Sequence, residues 1–224
     1  MATLGEYIGA GSGTTKLLLH LNGNSTDASG NGNNGTDTNI TYGLGYGKFG
    51  QGAYFRTDTT VPSITTPLTD EARTISLWFT GVVFSGGITS GTMEWGSLIN
   101  QRTSDTSGWT IRRGGNTNNL YIKIGGTDYK WNNVDNGFFD GTWRHIVLVK
   151  DGSNTKMYTN GALTYTISGV VWSSSGINVE IGNDAQVDNR HHGGNIDEVI
   201  IENRAWTASE VRKYFTMGKG RFGL

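Results

Sequence analysis

The 224-residue sequence contains no cysteine and only two prolines, and its charges nearly cancel, with 18 Lys and Arg against 19 Asp and Glu. Without cysteine the chain has no disulfides, thiolate zinc sites, iron–sulfur clusters or cysteine nucleophiles. A formal net charge of −1 gives no overall field that attracts nucleic acid or an anionic membrane. The apolar runs are too short to cross a bilayer, and the first residues lack the basic and apolar regions of a secretory signal. We therefore expect no nucleic-acid partner, no membrane insertion and no leader segment.

Glycine and aromatic residues are abundant, with 35 glycines and 11% Phe, Trp and Tyr, which indicates a folded, turn-rich chain. Short β-branched or aromatic runs alternate with clusters of Gly, Asn, Asp and Ser, as in β-sandwiches. The predicted strands span residues 16–21, 53–55, 61–64, 74–84, 97–101, 108–112, 120–124, 142–150, 156–159, 162–167, 179–182 and 195–202. We expect one domain over residues 1–224, with a core at about 16–217 and short arms at 2–15 and 218–224.

Three local patterns define elements sharply. Apolar residues alternate within residues 142–150, so that odd-numbered side chains share one face of a strand and even-numbered ones the other. Asn160-Gly161 predicts a type I′ hairpin, because both turn positions need a positive φ. Thr207 and Glu210 have the spacing of a capping box, which predicts a short helix ending near residue 217.

The chain resembles the laminin G-like members of the concanavalin A-like lectin/glucanase superfamily through ordered segments: LLLHLNGN, DASGNGNNGT, YGKFGQGAYF, TISLWF, GTWRHIVLVKDGSNTKMYTNGAL, IGND and GGNIDEVIIENRAWTASEV. These segments extend over residues 17–215. The resemblance implies an all-β jelly-roll sandwich of two curved antiparallel sheets with one short C-terminal helix. Because this superfamily contains lectins, adhesion domains and glycan-cleaving enzymes, the site must be derived separately.

The sequence shows no pair of carboxylates suited to glycoside hydrolysis, which needs two carboxyl groups about 5–5.5 or 6.5–9.5 Å apart. In a strand, Glu198 and Glu202 share a face about 13 Å apart, and Asp197 points the other way. We expect Glu198 and Glu202 to be solvated, and His145 to be a hydrogen-bonded core residue rather than a base. Two further histidines are predicted to be solvated loop residues, His191 and His192. The sequence therefore predicts that the protein is not an enzyme.

Calcium is the cofactor that the sequence favours. Asp27 opens a run with oxygen-bearing side chains at alternate positions, but Thr38 stands where an EF-hand needs a bidentate Glu. The resemblance implies a looser structural calcium site between an N-terminal loop and the last strand, with Asn22, Asp27 and Asp197 as ligands. The alternative is that Asp27 only caps a turn by bonding its own backbone.

Glycan binding requires an aromatic ring to stack on a sugar and polar groups to bond its hydroxyls. Four tryptophans lie next to polar turn residues: Trp95, Trp109, Trp131 and Trp172. We predict that the ligand site consists of Trp109, Arg112, Trp131 and Asn133. The alternative is that these aromatic residues cover the core at strand ends.

These observations favour a non-catalytic recognition or adhesion module that binds a glycan, such as a cell-surface polysaccharide. Its expected location is extracellular or on a virion surface, where other surface or virion subunits are further partners. One alternative is a structural virion subunit without sugar affinity, and a second is a polysaccharide-cleaving enzyme of the same fold.

Overall fold

The structure is a computed structural model that describes residues 13–55, 61–82, 94–115, 117–133, 137–173, 176–187 and 190–220, with the backbone alone for 133, 219 and 220. Its strands are β1 (Thr15–Leu19), β2 (Thr36–Thr38), β3 (Ile40–Gly43), β4 (Gly52–Phe55), β5 (Ser63–Thr66), β6 (Thr74–Gly81), β7 (Ser97–Ser104), β8 (Ser107–Arg113), β9 (Leu120–Ile124), β10 (Thr127–Lys130), β11 (Arg144–Asp151), β12 (Asn154–Thr159), β13 (Ala162–Ile167), β14 (Val179–Ile181) and β15 (Gly194–Glu202). An α-helix follows them, α1 (Ala208–Gly220), and 3-10 turns lie at Leu44–Tyr46 and Trp131–Asn133. None of the helices in these ranges is long and apolar enough to span a lipid bilayer.

The strands form two antiparallel sheets that pack face to face. The first has the order β13-β12-β11-β6-β15-β4-β3, and β1 also pairs with β15. The second has the order β10-β9-β8-β7-β14-β5-β2. Their facing sides bury one large apolar cluster, which includes Leu98, Ile111, Ile122, Leu148 and Ile196. The predicted all-β jelly-roll sandwich with one C-terminal helix is confirmed.

Strand β11 contributes to two cores because its side chains alternate. Ile146 and Leu148 point into the cluster between the sheets. Val147 and Val149 point outward into a second cluster, which α1 closes from outside. Both faces of the first sheet are therefore buried where the helix covers it.

The predicted hairpin and helix cap are both present. Asn160 and Gly161 have φ values of 50° and 81°, as a type I′ turn requires. The amide of Glu210 donates to the Thr207 Oγ1 at 3.2 Å, and the Glu210 Oε2 accepts from the Thr207 amide at 2.7 Å. This reciprocal pair satisfies two amides that the first turn of α1 leaves open.

Three short strands, β2, β3 and β10, are absent from the strands that the sequence predicted. Each is only three or four residues long, and pairing with a neighbouring strand decides its conformation more than intrinsic preference does. Helix α1 continues to Gly220 and so takes up part of the predicted C-terminal arm. The rest of that arm and residues 2–12 of the predicted N-terminal arm lie outside the described residues.

Candidate ligand-binding site

A row of polar side chains crosses the outward surface of the second sheet, with one residue from every strand. The row consists of Thr36, Thr65, Glu180, Asn100, Thr110, Lys123 and Asp128. Neighbours of these residues in sequence, such as Ile64, Ile99 and Ile111, point into the core. Because side chains alternate along a strand, the polar residues of the row point outward wherever their apolar neighbours are buried, so they share one surface of the sheet.

A second row lies beside the first and contains Ser97, Arg112, Tyr121 and Lys130. The two rows together are called the polar face. The Arg112 Nη2 donates to both carboxylate oxygens of Asp128 at 2.7 and 2.8 Å, and the guanidinium lies 4.4 Å from the centre of the Trp95 ring. Arg112 is only 1% exposed, and its burial lowers its pKa. It therefore holds Asp128 and Trp95 in place on the polar face, rather than presenting its own charge to solvent.

Residues 183–187 and 190–192, called the strap, are tied to the second sheet. The Asn183 carbonyl accepts from the Asn100 Nδ2 at 2.5 Å, and the Asp184 Oδ2 accepts from the Arg102 Nε at 2.6 Å. Arg102 and Asp184 are both at least 99% buried, so loss of either partner would leave an uncompensated buried charge. Arg102 also bonds Asp105, whose pKa falls to about 2 chiefly through its hydrogen bond from Lys123. The buried Arg102–Asp184 ion pair and the Asn100–Asn183 hydrogen bond hold the strap against the sheet.

A cleft of about 370 Å³ opens between the strap and the sheet, lined by Thr65, Asn100, Ile177, Asn178, Glu180, Ala185 and Gln186. The Glu180 Oε1 accepts from the Asn183 Nδ2 at 2.9 Å, and its Oε2 accepts from the Ala185 amide at 2.8 Å. Burial raises the pKa of Glu180. The Asn178 and Gln186 side chains are exposed at the rim.

The chemistry of the cleft suits neutral hydroxyl groups. The Glu180 carboxylate interacts with the Asn183 side chain, the Ala185 amide and the Asn100 side chain, which leaves about one of its four acceptor positions for a ligand. The amides of Asn178 and Gln186 can both donate and accept, as a hydroxyl can. Among the described lining residues Glu180 is the one charged side chain, which disfavours an anionic ligand.

The two tryptophans predicted to stack on a sugar lie in the core. Trp109 and Trp131 have no exposed surface, and the Trp131 Nε1 donates to the Thr159 Oγ1 at 3.1 Å. Trp109 and Arg112 are three positions apart in β8, so they point to opposite faces of the sheet. A ring without exposed surface cannot stack on a ligand, so this prediction is wrong, and the core-covering alternative applies to both residues.

The other two tryptophans next to polar turn residues, Trp95 and Trp172, differ in exposure. Trp172 is 1% exposed, whereas Trp95 is half-buried at the polar face between the guanidinium groups of Arg112 and Arg190, at 4.4 and 5.6 Å. Asn133 ends the 3-10 turn after β10, and its side chain lies outside the described part of the chain. Its role in binding stays a prediction.

Asp27 does not fit the predicted calcium site. Its Oδ1 accepts from the amides of Leu18 and Ser29 at 3.0 and 2.9 Å. Its Oδ2 accepts from the Ser29 Oγ at 2.8 Å and the Asn33 amide at 2.9 Å. Four donors occupy the about four acceptor positions of a carboxylate, which leaves none for a metal ion. The structure instead shows the alternative, an aspartate that folds its own loop onto β1.

The other two predicted ligands, Asp197 and Asn22, hold the segment before β4. The Asp197 Oδ2 accepts from the amides of Lys48 and Phe49 at 2.8 and 2.9 Å, and the Asn22 Oδ1 accepts from the Gln51 amide at 3.1 Å. Burial, followed by the charge of a neighbouring glutamate, raises the pKa of Asp197 to about 8. Within the described ranges, no group of three or more His, Asp or Glu side chains is arranged to hold a metal ion.

The model of a laminin G family, described as belonging to the concanavalin A-like lectin/glucanases superfamily, matches residues 49–212. The chain belongs to this superfamily. A human relative, adhesion G-protein coupled receptor D1, is 34% identical over 87 residues, which are 37% of this chain and 10% of the receptor.

Solved structures with a similar fold include two binding domains and one domain of an enzyme. The binding domain of Paraclostridial mosquitocidal protein 1 is 19% identical with a TM-score of 0.68, over 92% of this chain and 52% of that one. Domain 4 of AbnA, an extracellular arabinanase from Geobacillus stearothermophilus solved with arabinotriose, is 21% identical with a TM-score of 0.66, over 90% of this chain and 98% of that one. The receptor-binding domain of botulinum neurotoxin type G is 17% identical with a TM-score of 0.65, over 91% of this chain and 51% of that one. At these identities the likeness shows the fold alone.

Since the superfamily includes glucanases, the carboxylates of β15 matter. The predicted solvation of Glu198 and Glu202 is wrong, because they are 4% and 0% exposed. Both Glu198 oxygens lie 3.0 Å from the His20 Nδ1, and the Glu202 Oε1 accepts from the Thr15 Oγ1 at 3.1 Å. The backbone also bulges at Asp197, so regular strand spacing does not apply there. These buried, mutually separate contacts do not form a pair of carboxylates facing an open cleft.

Three further histidines lie in the core or in the strap. His145 is fully buried as predicted, with its Nε2 2.9 Å from the Ser76 Oγ, and burial lowers its pKa to about 3. The prediction that His191 and His192 are solvated is wrong, because both are at most 2% exposed. The His192 Nε2 lies 2.8 Å from the Thr80 carbonyl oxygen, and burial lowers its pKa to about 3.

The residues that line the cleft were not identified from the sequence. The sequence contains one local indication of the cleft, because the charged Glu180 stands between apolar Val179 and Ile181 in a predicted strand. The site can be recognised only from the pairing of the strands, because Thr65, Glu180 and Asn100 come from distant parts of the chain.

Proposed function

We propose that the chain is a non-catalytic recognition module that binds a carbohydrate in the cleft of the polar face, on an extracellular or particle surface. The observation that carries this proposal is the composition of the cleft, where Glu180 lies at the floor and the neutral amides of Asn178 and Gln186 lie at the rim. A volume of about 370 Å³ lies within the usual range of small-ligand sites, which begins at about 300 Å³.

The hydrogen-bonding pattern favours a sugar over an apolar or anionic ligand. A carboxylate accepts strong, charge-assisted bonds from hydroxyl groups, and Glu180 is already oriented by Asn183 and Ala185. A preorganised acceptor loses little entropy on binding. Two apolar residues, Ile177 and Ala185, provide the limited surface that the carbon atoms of a sugar need.

The relatives support this class of function. The arabinanase domain that this chain covers almost entirely was solved with a saccharide, arabinotriose. Two similar structures are binding domains, and the matching human protein is an adhesion receptor. The chain spans about half of the first of these binding domains and a tenth of the receptor, so their partners transfer only as part of this proposal.

The test is a titration on a broad glycan array, with and without calcium, followed by calorimetry with any saccharide that binds. The double variant Asn178→Ala/Gln186→Ala removes exposed amides from the rim and should weaken binding at least about fivefold, since each lost neutral hydrogen bond costs about 0.5–1.5 kcal/mol. Asn203→Ala is the matched control, because the Asn203 side chain is exposed, Asn203 does not line the cleft, and its backbone amide, which bonds the Thr14 carbonyl, is kept in the variant.

Three other results would contradict the proposal. Unchanged affinity in the double variant would exclude the cleft as the site. New reducing ends or unsaturated products from incubated polysaccharides would show a glycan-cleaving enzyme. A defined oligomer or particle-associated protein that binds nothing on the array would favour a structural surface subunit.

A further inference from the structure

In the described part of the chain, two partly exposed aromatic rings lie on the outward surface of the first sheet, at the end away from β13. Tyr54 of β4 points outward, since its neighbours Ala53 and Phe55 are in the core between the sheets. Its ring stacks on that of Tyr46, with the centroids 4.9 Å apart and the planes at 17°. Both tyrosines are half-buried, and α1 closes the apolar cluster elsewhere on this sheet.

Hydrogen-bonding groups flank this aromatic pair in cross-strand register. Thr41 of β3 lies opposite Tyr54 on one side, and Asn195 of β15 lies opposite it on the other. Thr80 of β6 is the next residue in the row. The Asn195 side chain is partly exposed, and its backbone amide donates to the Thr80 Oγ1 at 3.3 Å, which links these two residues of the row.

The surface formed by Thr41, Tyr46, Tyr54, Thr80 and Asn195 is called the tyrosine platform. None of these five residues is charged. A neutral ligand with a flat C–H face and hydroxyl groups at its edge matches the rings and the flanking row together. An anionic ligand would find no positive partner among these side chains.

We propose that the tyrosine platform is a second binding site, which takes one ring of a neutral saccharide by stacking on Tyr54 and Tyr46. This inference rests on the proposed carbohydrate-binding function but concerns a different sheet from the cleft. A chain with both sites would hold a long polysaccharide, or two strands of it, at two separate points, which raises avidity without any new contact at the cleft.

The experiment uses the full chain in the Asn178→Ala/Gln186→Ala background, which removes the rim of the cleft. The probes are neutral tetrasaccharides of glucose, xylose, mannose and arabinose, and the readout is the NMR signals of ¹³C-labelled tyrosine rings. At least one tetrasaccharide should shift the signals of Tyr46 and Tyr54. Tyr54→Ala should weaken that binding about tenfold, whereas Tyr54→Phe, which keeps the ring, should remain within about twofold.

Tyr46→Ala is a second test that does not alter a strand, and melting temperatures show whether each variant is folded. Leu44→Ser is the control for apolar docking, because Leu44 is 76% exposed beside the platform and should not affect sugar binding. Loss of tetrasaccharide binding in Leu44→Ser, or equal loss in Tyr54→Phe and Tyr54→Ala, would overturn stacking.

The two sites fail independently. If the tyrosine variants lose binding and the cleft variants do not, the tyrosine platform is the saccharide site and the proposed function of the cleft is wrong. If only the cleft variants lose binding, or no tetrasaccharide shifts the tyrosine signals, the platform is overturned.

Discussion

Asp27→Ala separates a structural role for this carboxylate from a role in calcium binding. The substitution removes the acceptor of the Leu18, Ser29 and Asn33 amides together with that of the Ser29 hydroxyl. Leu18 is 2% exposed, so its amide loses a hydrogen bond that water cannot replace, at about 1–3 kcal/mol. The two loop amides can reach water and cost about 0.5–1 kcal/mol each. The expected loss is about 3 kcal/mol, or about 6–12 °C in melting temperature for a chain of this size.

Urea unfolding followed by tryptophan fluorescence measures this loss, with the matched variant Asp27→Asn as control. The Asn side chain retains one oxygen for Leu18 and Ser29, so its cost should be about half that of Asp27→Ala. Chelator and added calcium should leave the melting temperature of the wild type unchanged, because the four acceptor positions are filled by protein donors. If calcium raises the wild-type melting temperature and chelator lowers it to that of Asp27→Ala, then Asp27 binds calcium and its purely structural role is refuted.

Three further predictions concern Gly182, Asp197 and Trp131. Gly169→Ala and Gly182→Ala both place a side chain at a positive φ, 72° and 77°, but the new Cβ meets nothing within 4 Å at Gly169 and lies 1.9 Å from the Phe55 ring at Gly182. Urea unfolding should show a loss of stability of about 1 kcal/mol for Gly169→Ala and at least 3 kcal/mol for Gly182→Ala. Equal losses would contradict the contact with Phe55. The pKa of Asp197 is raised to about 8 in the folded protein, against 3.8 unfolded, so between about pH 4 and 8 the folded protein binds a proton that the unfolded chain does not. The free energy of unfolding should therefore fall by up to about 1.4 kcal/mol per pH unit as the pH rises through this range. Asp197→Asn should lack this slope, and an identical slope in both proteins would show that Asp197 is ionised. Trp131→Phe should lower the melting temperature and leave saccharide affinity unchanged. Weaker saccharide binding of this variant in calorimetry would show that Trp131 contributes to the binding site.

Much of the fold follows from local pattern, because the determinants are short-range. Asn160-Gly161 has the positive φ values that its turn needs, and Thr207 with Glu210 starts the helix where expected. The strands with strong alternation, such as β9 (Leu120–Ile124), also have the predicted bounds. Strands such as β10 escaped prediction because neighbours, rather than their own residues, hold them.

The candidate site was much less predictable, because it depends on contacts between distant residues. Alternation assigns Trp109 and Arg112 to opposite faces, but no local rule says which face is inward. Proximity in sequence therefore suggested one site for two side chains that the sheet separates. The same limit applies to Asp197, whose carboxylate accepts hydrogen bonds from a segment about 150 residues away, and whose raised pKa results from burial in the folded chain.

The sequence by itself determined the strand pattern, the tight turns, the helix start and the superfamily, since each depends on neighbouring residues or on ordered motifs. Only the tertiary structure decided which side chains reach solvent, where the cleft of Glu180 opens and why Asp27 holds a loop. Cross-strand register and the folding back of the strap set these outcomes, and both result from packing the two sheets against one apolar core.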